Sequence, residues 1–551
     1  MNLIDPADTQ WWRTAVIYQI YPRSFADSNG DGTGDLAGIT AQLNHIVRLG
    51  ADAVWLSPFY PSPQRDGGYD VANYRDVDPR YGDLASFDTL LVRAHDVGLR
   101  VIVDLVPNHS SSDHPAFQAA LADLPGSAAR GRYIFRNGRG PGGSQPPNNW
   151  QCMFEGPAWT RVIERDGKPG QWYLHLFDSS QPDWNWDNPL VRDDFEATLR
   201  FWLDRGVDGF RVDVCDALLK AEGLPDWNHA THGVVAQVDG AQAPMWDQEG
   251  IHEIYQSWRR ILDRYEGTRI LCAEAWLPPE RAARIVRPGE MHQAFNFSYL
   301  ELAWDAKQIR TTIDQSLAAN DAVGAPTTWV LSNHDVMRHA SRFGYEGPVA
   351  LESGVGADDP QPDREGGLRR ARAATALMLA LPGSAYLYQG EELGLPDVTD
   401  LPDEARQDPT WERSNHRIRG RDGCRVPLPW TSAGPSFGFS MASRPWLPQP
   451  RYFGEYSVEV QERDDHSTLA LYRKLLTLRR QRSMGAGTLR WLEAPTQVLC
   501  FTNGAVGVLT NMSAERVPLP SGEVLLSSDP GSSSREVAPD TTVWFAAAGP
   551  S

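Results

Sequence analysis

Four short segments of this 551-residue chain carry most of its chemistry: Asp104-Leu-Val-Pro-Asn108-His109, Gly209-Phe-Arg211-Val-Asp213, Ala273-Glu274-Ala-Trp276 and Asn333-His334-Asp335. Each joins an apolar, strand-like run to a polar tip bearing a carboxylate. The runs are Leu99 to Val106, Val207 to Val212, Arg269 to Ala273 and Thr328 to Leu331. Carboxylates at the ends of several different strands point to one pocket at the mouth of an α/β barrel. Three of them, Asp213, Glu274 and Asp335, could supply a nucleophile, a proton donor and a helper. That set fits retaining glycoside hydrolysis.

The elements that must hold these tips are legible as an alternation. Ala15 to Ile20, Ala53 to Leu56 and Val101 to Asp104 read as strands, with helical patterns at Leu36 to Leu49 and Ser86 to Val97 between them. Strands separated by helices imply parallel βα units with right-handed crossovers. Residues 110–180 break the pattern with Gly, Pro, Asn and Trp. A structureless loop of that length is unfavourable inside a compact domain, so this stretch reads as an inserted domain after the third strand. Alternation resumes near Asp193, with strands expected near 207, 270, 294, 329 and 386. After Arg482 come short β-like runs, such as Gln497 to Phe501 and Thr541 to Phe545. The expected architecture is therefore a (β/α)8 TIM barrel (1–109 and 181–480), an inserted domain (110–180) and a C-terminal antiparallel β-sandwich (481–551).

Bulk properties narrow the function classes. Apolar content of 41% and charged content of 22% describe an ordinary globular chain. A net charge of -19 argues against nucleic-acid binding and against a polyanionic substrate. No apolar run approaches the ~18 residues a membrane span requires. The N-terminal Met1 to Asp8 is acidic and has no apolar signal core, so a cytoplasmic location is expected. The five cysteines lack metal-ligand spacing and read as free thiols in a reducing compartment. The 20 Trp and 17 Tyr suit both core packing and stacking on sugar rings.

The four motifs, in this order and at barrel-like spacing, resemble the signature regions of the α-amylase superfamily, glycoside hydrolase family 13. The resemblance is nearest to its α-glucosidase and oligo-1,6-glucosidase branch and spans Trp11 to about Arg480. It implies Asp213 as the nucleophile of a covalent glucosyl-enzyme, Glu274 as the acid/base and Asp335 as the carboxylate that binds sugar hydroxyls. Arg211, two residues before Asp213 on the same strand face, would hold that carboxylate ionised. His109 and His334 match histidines that hydrogen-bond the reacting glucose, and Asp104 matches a buried support. In that branch an Asp–Arg pair grips the non-reducing-end glucose with a tyrosine stacked beneath it. The resemblance places these at Asp70, Arg421 and Tyr69, with Arg417, Arg419 and Arg425 as nearby competitors for the arginine.

Asp27-Ser-Asn29-Gly-Asp31-Gly-Thr33-Gly-Asp35 sets oxygen ligands at alternate positions, as at the start of an EF-hand loop, although position 12 is Gly38 rather than Glu. The resemblance implies one structural Ca2+ or Mg2+ held by Asp27, Asn29, Asp31, Asp35 and the Thr33 carbonyl. The expectation is an exo-acting, retaining α-glucosidase on maltose and short oligosaccharides, with transglucosylation available to the glucosyl-enzyme. The partner is a small saccharide, and the chain is a monomer or homodimer. Val214, after the nucleophile, is commoner among α-1,6-acting members, yet α-1,4 action is the reading adopted. The competing readings are a trehalose synthase (a maltose isomerase), an α-1,6- or sucrose-specific glucosidase, and a non-catalytic member of the superfamily.

Overall fold

A computed structural model describes residues 8–228, 237–238, 241–347, 349–531 and 535–547. The acidic stretch before Asp8 lies outside the described residues. Eight parallel strands form the central sheet: β1 (Val16–Ile20), β2 (Ala53–Leu56), β3 (Arg100–Leu105), β4 (Gly209–Val212), β5 (Ile270–Ala273), β6 (Gln293–Ala294), β7 (Thr328–Val330) and β8 (Ser384–Tyr388). Their order is β6-β5-β4-β3-β2-β1-β8-β7. A parallel bridge between Phe295 and Thr328 joins the two ends and nearly closes the barrel. Every residue of β1, β2, β4, β5 and β8 is buried. Strands covered on both faces explain why these segments are mostly apolar rather than alternating, with Gln19 and Arg211 as buried polar exceptions.

The helices between the strands start and stop where the sequence signals it. Helix Leu36–Leu49 opens at Asp35, whose side chain accepts from Gly38 N at 2.6 Å, and closes at Gly50 with φ 101°. Helix Leu84–Asp96 is capped by Asp83 and begins two residues earlier than its apolar pattern. Helix Pro189–Arg205 is capped by Asn188 and ends at Gly206, φ 104°.

Between β3 and that last helix the chain builds a three-stranded antiparallel sheet from Phe135–Arg136, Trp159–Ile163 and Pro169–Leu174. It projects residues 151–156 and Phe177 toward the barrel mouth, where they line the main cavity. The C-terminal strands Leu489–Trp491, Val498–Asn503, Val506–Asn511, Val524–Ser527 and Thr541–Ala546 form a five-stranded antiparallel sheet, with a two-stranded sheet beside it. That sheet packs on barrel helix Arg364–Leu379: Thr542 donates to Ala373 O at 2.8 Å and Trp544 to Ala376 O at 3.0 Å. All five cysteines are free and buried. Among the described residues no helix is long and apolar enough to cross a membrane.

Candidate active site

The ends of β3, β4 and β5 set the first group of side chains by register. Asp104 pairs with Arg211 across β3 and β4, and Arg211 with Cys272 across β4 and β5. The ladder continues one step past the strands, with Asp213 N donating to Leu105 O at 2.8 Å and Glu274 N to Val212 O at 2.9 Å. Asp213 and Glu274 therefore emerge side by side from rigid backbone.

Arg211 links the whole group. Its Nη1 lies 3.0 Å from Asp104 and 2.5 Å from Asp213, and its Nη2 lies 3.6 Å from Glu274. Asp104 also accepts from Trp55 Nε1 and Tyr69 OH, each at 3.1 Å. Burial raises the carboxyls of both Asp213 and Glu274 above the ordinary range, and Arg211 opposes it in each. The two share an environment that favours a single negative charge between them. Arg211 lies closer to Asp213 (2.5 Å) than to Glu274 (3.6 Å), so it favours the ionised form of Asp213 more strongly.

Val214 follows Asp213 with φ 43° and ψ 44°, a left-handed conformation that is costly for a β-branched residue. Its N–H donates to Glu274 Oε2 at 2.6 Å, and Trp276 Nε1 donates to Oε1 at 2.9 Å. Trp276 is itself stacked on Phe297, with centroids 4.2 Å apart. The Glu274 carboxyl is thus held at both oxygens.

Past β7, Asp335 accepts from Arg421 Nη1 and Arg425 Nη2, each at 2.9 Å. Burial works to raise Asp335, but His334, Arg421, Arg425 and Arg211 prevail and hold it below the usual carboxylate range. His334 is pushed down to about 3 by burial, so at neutral pH it is uncharged and the arginines do the holding. Gln19 donates to His334 Nδ1 at 2.7 Å, which leaves the proton on Nε2, 3.2 Å from Asp335. His109, lowered to about 4 by burial, meets Gln181 Nε2 at 3.1 Å. Tyr69 lies parallel to His334 at 5.1 Å.

One sequence expectation is corrected. Arg421 does not pair with Asp70. It pairs with Asp66 (2.7 Å), Asp335 (2.9 Å) and Asp408 (2.5 Å). Asp70 instead accepts from Ser62 Oγ at 2.7 Å, Arg65 N at 3.0 Å and Asp66 N at 3.2 Å, so it closes its own loop. Gly67 and Gly68, with φ 57° and 106°, bend the chain so that Asp66 and Tyr69 both line the cavity while Asp70 is turned inward. Gln181 Nε2 ties Asp66 to His109, donating to Asp66 at 3.0 Å.

These groups line one cavity of about 540 Å³, with Asp66, Tyr69, His109, Asp213, Glu274, Asp335 and Arg421 among its walls. Its aromatic lining is Tyr69, Phe154, Phe177 and Trp276. Sequence reasoning missed Asp66, Gln181, Phe154, Phe177 and Glu352. Arg425 was visible as a competitor for Arg421 and serves beside it.

The Asp27–Asp35 loop carries only oxygen donors, the chemistry that suits a hard cation. Asp27 accepts from Asn29 N, Gly30 N and Gly32 N at 2.7–3.0 Å, Asn29 from Asp31 N and Asp31 from Thr33 N, each at 2.8 Å. Asp35 is occupied by Gly38 N and Ser28. Among the described residues no three His, Cys, Asp or Glu side chains are gathered to hold a metal ion.

The comparisons with known proteins agree with this geometry. The model of the alpha amylase catalytic domain matches residues 19–487. A probable alpha-glucosidase of Rhizobium meliloti (strain 1021) is 38% identical, covering 93% of this chain and 91% of the relative. An oligo-1,6-glucosidase of Parageobacillus thermoglucosidasius is 34% identical, covering 86% and 84%. The crystal structure of an alpha-glucosyl transfer enzyme, XgtA, superimposes with a TM-score of 0.85 at 36% identity, over 98% of this chain and 99% of that one. Barrel, motifs and relatives together establish that the chain is a glycoside hydrolase and belongs to the alpha-amylase catalytic-domain family, glycoside hydrolase family 13.

Proposed function

We propose that this enzyme is an exo-acting, retaining α-glucosidase that removes terminal α-linked glucose from maltose and short oligosaccharides, with α-1,4 the preferred linkage. The observation that carries the reading is the Arg421 guanidinium, held by Asp66 and Asp335 in the same cavity as Asp213 and Glu274. A fixed charged cluster beside the nucleophile suits a single terminal ring, with directional hydrogen bonds to its hydroxyls.

In this mechanism the Asp213 carboxylate attacks the anomeric carbon while Glu274 gives its proton to the departing glycosidic oxygen. The resulting β-linked glucosyl-enzyme is opened by water, or by another hydroxyl, as Glu274 takes the proton back. Two displacements return the α configuration. Asp335, kept ionised by Arg421 and Arg425, binds the ring hydroxyls, with His334 and His109 as neutral partners. Transfer to a sugar or alcohol is the competing outcome of the second step.

Product analysis with maltose as sole substrate tests the reading. Glucose released first as the α-anomer, and abolished by Asp213→Ala, is the expected result. Trehalose as the main product, or turnover of isomaltose or sucrose but not maltose, overturns it.

We also propose that the Asp27–Asp35 loop takes one Ca2+ or Mg2+. Its oxygen donors at alternate positions support this. The ion would have to draw Asp27, Asp31 and Asp35 together, and its role would be structural.

A further inference from the structure

The loop that leaves β7 places one carboxylate in the cavity that the mechanism above does not use. Glu352 lines the same space as Asp213, Glu274 and Asp335, and its side chain is exposed to that space. Its backbone is pinned on both sides. Leu351 O accepts from Met337 N at 2.9 Å, and Ser353 O accepts from Gly420 N at 3.0 Å. The first bond ties it to the segment of Asp335, and the second to the residue preceding Arg421. Glu352 is therefore fixed between two catalytic loops rather than carried on a free one.

The other carboxylates lining the cavity are accounted for. Asp66 and Asp335 are bound by Arg421, Asp213 by Arg211 and Glu155 by Arg417 at 2.5 Å, while Glu274 is held by Val214 N and Trp276. Asp216 has no side-chain partner but is buried, with one oxygen enclosed. Among the described residues Glu352 has no hydrogen-bond or ion-pair partner and is the lining carboxylate that stays open to an incoming molecule. The lining contains a single cation, Arg421, and its guanidinium is already shared by Asp66, Asp335 and Asp408.

Position relative to the chemistry sets its role. On the proposed mechanism the cleaved ring lies against Asp66, Tyr69 and Arg421, with its glycosidic oxygen toward Glu274, all of which line the cavity. Glu352 lines the same cavity with an exposed side chain and, among the described residues, no partner, which leaves it available to the part of the substrate beyond that oxygen. Confinement raises the Glu352 carboxyl to about 7 against the pull of Arg421, with Asp335 and Glu274 adding to the rise. The group consequently accepts or donates a hydrogen bond near neutral pH, and a second anion beside it is disfavoured.

We infer that Glu352 selects the leaving group, hydrogen-bonding a hydroxyl of a neutral sugar or alcohol aglycone and excluding a phosphate-bearing one. The inference rests on the α-glucosidase reading. By microscopic reversibility the same side chain meets the acceptor when a hydroxyl opens the glucosyl-enzyme.

The test compares wild type, Glu352→Ala and Glu352→Gln on three substrates. These are maltose, methyl α-D-glucopyranoside (whose aglycone has no hydroxyl) and maltose phosphorylated at O6 of its reducing glucose. Glu352→Ala is expected to lower kcat/KM on maltose about tenfold, the scale of one lost hydrogen bond to a charged group, and on the methyl glucoside less than about twofold. Glu352→Gln keeps a hydrogen-bonding group and retains maltose within about threefold, while gaining about fivefold or more on the phosphorylated sugar as the like charge is removed. Activity on the methyl glucoside reports folding for both variants. Equal loss on maltose and methyl glucoside, or no change on any substrate, overturns the inference alone. A wild type that cleaves neither maltose nor methyl glucoside overturns the α-glucosidase reading and this inference with it.

Discussion

The backbone N–H of Val214 donates to Glu274 Oε2 at 2.6 Å, so the residue after Asp213 positions the Glu274 carboxyl. The strained φ of Val214 is what turns that N–H toward the neighbouring strand end. The strained residue next to Asp213 thus reaches from the end of β4 to the carboxyl at the end of β5. With Trp276 Nε1 on the other oxygen at 2.9 Å, both hydrogen bonds favour the ionised form of Glu274, against the burial that raises it.

Trp276→Phe removes one of these donors and keeps the ring that stacks on Phe297. A hydrogen bond to the charged form lowers a carboxyl pKa, so its loss raises that of Glu274. The alkaline limb of kcat/KM, where the general acid deprotonates, is expected to move up by about 0.5–1 unit. An unmoved or acid-shifted limb in a pH profile on maltose would show that Trp276 does not tune the acid.

Asp66 and Asp70 separate grip from scaffold. Asp66→Asn takes a charge from Arg421 in the sugar-facing cluster and is expected to raise KM for maltose about tenfold or more with little change in melting temperature. Asp70→Asn weakens the acceptor for Ser62, Arg65 N and Asp66 N. It is expected to cost about 1–3 kcal/mol of stability and to alter KM much less. Steady-state kinetics beside thermal denaturation checks both, and the reverse pattern would restore Asp70 to the sugar.

The contrast between these two residues shows where sequence reasoning stops. Asp213 and Glu274 were legible because each directly follows a strand, which fixes the direction in which the next residues emerge, and Asp335 because its Asn-His-Asp segment follows the run ending β7. Even β6, only Gln293–Ala294, was placed by the spacing of its neighbours. Asp66 and Asp70 lie four positions apart in a loop turned by two left-handed glycines, and no periodicity says which one faces the cavity. Glu352 was hidden for the same reason. Residues 351–356 carry no repeat pattern, and backbone hydrogen bonds to residues 337 and 420 fix their place. The inserted domain was recognisable by composition, but its contribution of Phe154 and Phe177 to the cavity depends on how its sheet docks.

The Asp27–Asp35 loop makes a prediction that does not pass through activity. If it takes a divalent ion, excess Ca2+ raises the melting temperature relative to EDTA, since a ligand at 100 times its Kd stabilises by about 2.7 kcal/mol. Asp31→Ala, at an exposed loop position, is expected to abolish the difference while leaving the EDTA value near that of wild type. Equal melting temperatures in Ca2+, Mg2+ and EDTA would show that the amide contacts of the loop suffice.

Glu391, just beyond β8, ties stability to pH. Its buried carboxyl accepts from Tyr388 N at 3.0 Å and Tyr472 OH at 3.4 Å. Burial, with neighbouring Glu392, raises it from 4.5 to about 8. The folded state therefore keeps this proton up to about pH 8, whereas the unfolded chain releases it near 4.5. Between those values the folded state binds more protons, so stability from this group is complete below pH 4.5 and is lost as pH rises toward 8. Glu391→Gln stays neutral throughout and keeps a carbonyl acceptor for Tyr388 N. The melting temperature of wild type is expected to fall relative to the variant between pH 5 and 8, by about 1–2 °C. Parallel melting curves over that range would mean that Glu391 ionises in the fold without penalty.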